Sequence, residues 1–374
     1  MEFALFRIGR HWLEVIVLTL ALSASASVLA SDLEEQPAVS PRTVSPANAD
    51  GAEIVQEKGV SALTMGVVVN VQDPQSVALA RVYMQERKIP PGNLIAVSFA
   101  PKQSTVSPEA FAAAYQAVIE PLDGRIQALV LTWTKPYKVG CMSMTSAFAF
   151  GFSEAYCANE CKPTKVSPYF NSSDRTPWSA HRMRPTMMLA SNSMDGALDL
   201  ISRGLAADGQ RPLKARAFVL QTPDAARSVR SLGHPPGEIN VWADGAVALR
   251  YVQAPVLRGQ KDVLAYFTGA ASVHSLHENL YLPGAIGDHL TSFGGVLDGN
   301  TGQMTALEWI RHGLTGSYGT VVEPCNFPEK FPNPEVFLDR YISGDTLIEA
   351  YWKSVVMPGQ GLFVGEPLAR PFLR

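Results

Sequence analysis

The run TMGVVVNV (64–71) constrains this chain more than any other segment. It is too short for a buried helix, and its β-branched residues are apolar toward both sides. It therefore reads as an interior strand of a sheet covered on two faces. Asp73-Pro74 follows it and suits a helix start: the carboxylate can accept from free N–H groups, and proline loses nothing at the first helical position. Val77, Ala80, Tyr83 and Met84 recur at helical spacing over 75–87. Pro90, Pro91 and Gly92 end the helix, and NLIAVSF (93–99) is expected as the next strand.

The same unit recurs along the chain. A helix is expected from Ser107-Pro108 to about Ile119 and a strand over 126–133, then a strand over 185–190, a helix over 194–207 and a strand over 215–220. In the last third, a strand is expected over 262–269. The capping-box pattern Thr305/Glu308 opens a helix over 306–312, and 317–324 reads as a strand. Asn333-Pro334 opens a helix to about Ile342, and Asp345 caps another through Val355. Such alternation implies an α/β fold with a mostly parallel sheet and helices on both faces. Residues 136–182 interrupt it with a long irregular insertion that holds three of the four cysteines. Connections of that length are usually functional or stapled.

The N-terminus has another character. Arg7, Arg10 and His11 precede the apolar run 13–30, which turns to small residues and ends with Val28 and Ala30 at the −3 and −1 positions of a cleavage site. This order is that of a secretory signal peptide over 1–30. Residues 31–60, rich in Ala, Ser, Pro and Glu, read as a flexible leader, and 61–374 as a single α/β domain. Export to the periplasm or cell envelope is expected, with no membrane-spanning segment left after cleavage. An even count of four cysteines in an exported chain favours disulfides. With 47% apolar and 17% charged residues the chain can build a sizeable core, and a formal charge of −3 gives no reason to expect nucleic acid as a partner.

In parallel sheets ligands bind beyond the carboxyl ends of the strands. That rule selects Asn70, Thr134, Arg227, Arg230, Ser292 and Glu323 as candidate ligand contacts, with Arg227 and Arg230 spaced to hold one carboxylate or phosphate together. His274, His277 and His289 fall within sixteen residues. The HExxH spacing of zinc enzymes is absent, and Cys157 and Cys161 lack a second ligand pair. No metal and no cofactor are therefore expected. A histidine could instead serve as base to Cys325, which follows strand 317–324, although Glu323 beside it would oppose a thiolate.

The segments VVVNVQDPQSVALARVYMQERKIPPGNLIAV, LVLTWTKPYKVGCMSMTSAFAFG, LISRGLAADG and the stretch from GTVVEPCNF to LARPF together resemble an uncharacterised family of exported bacterial proteins. Its members occur in genomes that carry the exosortase protein-sorting system. The resemblance implies location and company, not a reaction. The last hundred residues also resemble gingipain-like cysteine peptidases of caspase type. There a His-Gly pair ends one strand and the nucleophilic cysteine ends the next. Here those positions fall at Ala270–Ala271 and Thr291–Ser292. The resemblance thus implies a caspase-like sheet, with the catalytic pair lost or rebuilt from His274, His277, His289 and Cys325; from the strand–helix alternation a flavodoxin-like sheet is the other expectation. Two functional expectations follow. One is a non-catalytic envelope protein that binds a small molecule, a peptide or an envelope partner, linked to exosortase-type sorting or surface polymer assembly. The other is a hydrolase using Cys325 with a nearby histidine.

Overall fold

The computed structural model describes residues 59–158 and 161–373; the expected signal peptide and nearly all of the leader lie outside them. The first half of the chain forms β1 (Met65–Asn70), α1 (Pro74–Arg87), β2 (Leu94–Val97), β3 (Thr105–Val106), α2 (Pro108–Ala114), β4 (Ala128–Leu131), β5 (Lys138–Val139), β6 (Met142–Ser143), α3 (Met144–Phe150), α4 (Pro177–His181), β7 (Thr186–Met188) and α5 (Met194–Ala207). The second half forms β8 (Ala215–Gln221), β9 (Ile239–Trp242), β10 (Val247–Gln253), β11 (Val263–Gly269), β12 (Tyr281–Leu290), α6 (Ala306–Arg311), β13 (Gly316–Thr320), α7 (Pro334–Ile342), α8 (Leu347–Ser354) and β14 (Gly361–Gly365).

Eleven strands make one sheet in the order β2-β1-β4-β7-β14-β13-β12-β11-β8-β10-β9, and β3, β5 and β6 make a small second sheet. The α/β fold with a mostly parallel sheet is as expected: β2-β1-β4-β7 and β13-β12-β11-β8-β10 are each parallel, β9 is an antiparallel edge on β10, and β14 runs antiparallel to β13. β14 meets β7 at a single parallel bridge, Val364 with Met188. One bridge does not fix how the two halves are oriented, but the helices do. Glu366, just beyond the end of β14, bonds to Tyr83 and Arg87 of α1. The chain after α1 returns to the start of β1, where Asn93 Nδ2 donates to Met65 O. The end of β14 therefore lies at the amino edge of β1. β14 is the reversed strand, and both parallel halves open toward one carboxyl edge.

The core follows from the sequence pattern. β1, β4 and β11 are buried along their whole length, as continuous apolar runs in a doubly covered sheet must be. Trp352 of α8 stacks on Phe363 of β14 with centroids 4.3 Å apart, and Trp309 of α6 meets Tyr266 of β11 edge-on at 5.2 Å. The indole of Trp309 has room because β12 carries Gly287 beneath it: a Cβ there would lie 2.3 Å from the ring. Asp73 and Asn333 cap their helices as expected.

Several expected boundaries are corrected. The 317–324 strand stops at Thr320, so Glu323 and Cys325 lie on the loop beyond it. Thr305 forms no side-chain cap: the Glu308 N–H donates to the Thr305 carbonyl at 3.1 Å, and the Glu308 carboxylate turns to Arg311. Asp345 does not cap α8; it pairs with buried Lys353, and Thr346 with Glu349 supplies the capping box. Thr346→Ala is accordingly expected to lower stability by about 0.5–2 kcal/mol in urea unfolding, whereas Thr305→Ala should cost clearly less. Equal losses would contradict the assignment.

Candidate functional site

A polar cleft of about 380 Å³ opens at the carboxyl edge of β1, β4 and β7. Its wall includes Asp73 and Gln75 from the start of α1, Thr134 and Lys135 after β4, Ser191, Asn192 and Ser193 before α5, and Asp298 from the loop after β12. Asp73 Oδ1 accepts from Gln75 N at 3.0 Å, and Ser193 Oγ accepts from Gly196 N at 3.1 Å, so the N-terminal ends of two fourteen-residue helices face the same space. Thr134 Oγ1 donates to Ser191 O at 2.9 Å and locks the post-β4 loop to the post-β7 loop.

Asp298 closes the cleft from the other half of the sheet. It pairs with Lys135 and accepts from Ser104 Oγ and, at 2.8 Å, from Tyr137 Oη. Partial burial works against its charge, but the hydrogen bonds from Lys135, Ser104 and Tyr137 outweigh it and hold the carboxyl below its ordinary range. Burial, reinforced by the bond to Asp298, pushes the Tyr137 phenol up to about 12, so it remains a donor near neutrality. Asp73, Ser193, Thr134, Lys135 and Asp298 are thus held by bonds of their own, and hydroxyl, amide, ammonium and carboxylate groups stand side by side in the lining.

A second, smaller cavity of about 150 Å³ lies at the carboxyl end of β12 and gathers Arg227, Thr291, Ser292, Glu323 and Cys325. Three of the expected ligand contacts, Arg227, Ser292 and Glu323, do meet here. The charged pair is already engaged. Arg227 pairs with Asp224 at 2.7 Å and donates to Thr291 Oγ1 at 3.3 Å, and Glu323 accepts from Cys325 N at 2.7 Å. Ala270 follows β11 and Thr291 follows β12, two adjacent parallel strands.

Other expected residues have structural duties. Asn70 is fully buried, and its amide both donates to Phe99 O and accepts from Phe99 N at 3.0 Å, tying the end of β1 to the chain beyond β2. Arg230 is buried and paired with Asp288, so it does not join Arg227 in holding a ligand. His289 is sealed: Nδ1 accepts from Trp309 Nε1 at 3.0 Å, which leaves the proton on Nε2 for Met304 O at 3.0 Å. Burial pushes it down to about 4, so it is neutral at working pH. His274 and His277 are exposed, and among the described residues neither bonds to Cys325 or Ser292.

All four cysteines are paired, Cys141 with Cys157 and Cys161 with Cys325, the Cα atoms standing 5.4 and 5.5 Å apart. These separations are those of ordinary disulfides. The second bond staples the long insertion to the loop after β13, and a bonded Cys325 sulfur carries no thiolate.

No protein-family model, no curated protein and no solved structure matches the chain. Among the described residues no helix is long and apolar enough to cross a membrane. Of this lining, the sequence reading reached Thr134 as a strand-end ligand contact and Asp73 as a helix start. It missed Asp298, because the strand that delivers it was not read.

Proposed function

We propose that this chain is a non-catalytic, ligand-binding protein of the cell envelope, and that a small hydroxyl-rich molecule, such as a sugar or the end of a sugar polymer, occupies the cleft at the carboxyl edge. The observation that carries this reading is the lining itself. Asp73, Ser191, Asn192, Ser193, Lys135 and Asp298 offer alternating donors and acceptors on a rigid frame, with no nucleophile–base pair among them. Vicinal hydroxyls both donate and accept, so a wall of mixed carboxylates, amides and hydroxyls suits them better than a uniformly basic or acidic one would. The signal-like N-terminus and the two disulfides support an oxidising, exported location. The exosortase association rests on the family resemblance alone. The hydrolase alternative needs a thiolate at Cys325, and the Cys161–Cys325 bond weighs against it.

Saturation-transfer NMR on the purified mature protein, with panels of mono- and oligosaccharides, short peptides and nucleotides, tests the reading. Saccharide signals are expected, and Lys135→Met or Asn192→Ala should weaken binding about tenfold or more, the size of one lost charge-assisted or buried hydrogen bond. Binding confined to peptides or nucleotides, or unchanged in both variants, would overturn it.

A further inference from the structure

Away from the cleft, on the opposite flank of the sheet, three side chains converge that neither parallel half explains. His234 lies in the loop before β9, Glu238 stands four residues on, and Glu335 sits in the first turn of α7. One ligand atom from each lies within 4.8 Å of the other two. His234 Nδ1 is 3.2 Å from both Glu238 carboxylate oxygens. Asn240 Nδ2 donates to Glu335 Oε1 at 2.7 Å and to Glu238 Oε1 at 3.3 Å, and so holds the two carboxylates toward each other. Tyr251 supports both sides: its ring stacks on His234 with centroids 4.1 Å apart, and its hydroxyl donates to Glu335 at 3.2 Å.

Charge is the unusual part. Two half-buried carboxylates face one space, and among the described residues no lysine or arginine pairs with either of them. Placement in the first turn of α7 eases Glu335, but not its approach to Glu238. Among the described residues their one cationic partner is His234, when protonated.

We propose that His234, Glu238 and Glu335 form a binding site for a divalent transition-metal ion. One imidazole nitrogen with two carboxylate oxygens suits zinc, or manganese and its neighbours, better than calcium or magnesium, which prefer all-oxygen shells. Bonds of ~2.0–2.2 Å in a tetrahedral shell place ligand atoms about 3.3–3.6 Å apart. The His234–Glu238 spacing of 3.2 Å lies close to this, and the Glu335 carboxylate, within 4.8 Å of both, would move inward to complete the shell. Burial and the adjoining carboxylates raise the Tyr251 phenol, which keeps its proton and serves as a positioning donor to Glu335 rather than as a ligand. With three protein ligands the ion keeps an open position for water. It would also tie the β9–β10 hairpin, at the edge of the sheet, to α7. No HExxH-type spacing marks this site, because the third ligand comes from α7, far along the chain.

The test is zinc binding by the purified mature protein at pH 7.5, after chelator treatment and dialysis, with bound metal counted by elemental analysis and Co²⁺ used as an optical reporter. One zinc per chain is expected, with a visible cobalt band that zinc abolishes. Binding should fall at least 100-fold in His234→Ala and in Glu335→Gln, and remain unchanged in His277→Ala. The glutamine keeps an acceptor for Asn240 and Tyr251, so this variant is expected to fold; circular dichroism checks it. Failure of the unaltered protein to bind zinc at 100 equivalents, or binding that persists in His234→Ala and is lost in His277→Ala, would overturn the proposal.

Discussion

Replacing Arg230 by Met is expected to destabilise the protein by about 3–5 kcal/mol at pH 7.5, because it leaves the fully buried Asp288 without its counter-charge. The pair ties the short turn after β8 to β12: Arg230 donates to Asp288, to Thr268 O at 2.9 Å and to Pro332 O at 3.4 Å, and its guanidinium lies over Phe267. Burial pushes the Asp288 carboxyl up to about 6, against the pull of Arg230. A raised carboxyl binds its proton more tightly in the folded state. Its favourable contribution is therefore complete below the ordinary carboxylate range and is lost as pH rises through about 6. Without Arg230 the carboxyl climbs further. The deficit of the variant should then be smallest near pH 5, where both proteins hold a neutral carboxyl, and should grow toward pH 8. Urea unfolding across that range measures it. Adding Asp288→Asn should recover much of the loss at pH 8. A deficit that shrinks with rising pH would show that the two groups are not coupled in this way.

The second large effect concerns the staple. Replacing Cys161 and Cys325 together by Ser should cost about 5 kcal/mol in the chain-entropy account, since the bond closes a loop of sequence separation 164. The Cys141–Cys157 bond closes only 16 and should cost about 3 kcal/mol. Thermal unfolding with and without reductant gives both values. A Cys161/Cys325 double variant as stable as the parent would mean that the bond does not form in solution, and Cys325 would again be a candidate nucleophile.

How much of this was legible follows from what each element must do. β1 announces itself because three valines face packed layers on both sides of the sheet. β12 is equally buried at its carboxyl half yet reads as a loop, since Gly287 makes room for Trp309, Asp288 holds Arg230, and His289 bonds to Trp309 and Met304. Residues chosen for single partners carry no β signal. Missing β12 also hid Asp298, whose link to Lys135 joins the two halves and leaves no local trace. α3 was hidden for the opposite reason: six of its seven residues are buried, so no polar face marks a period. β14 is a five-residue strand bounded by glycines. The cysteines were legible as disulfides, but their connectivity was not, because Cys161 finds Cys325 only through the fold.

The most direct test of the account is a thiol count on the purified mature protein, with the disulfide-linked peptides mapped by mass before and after reduction. No reactive thiol before reduction and four after it, with linked peptides joining Cys141 to Cys157 and Cys161 to Cys325, is the expected result. A free Cys325 that labels rapidly at neutral pH would contradict the account and make a thiol-dependent hydrolase the reading to pursue.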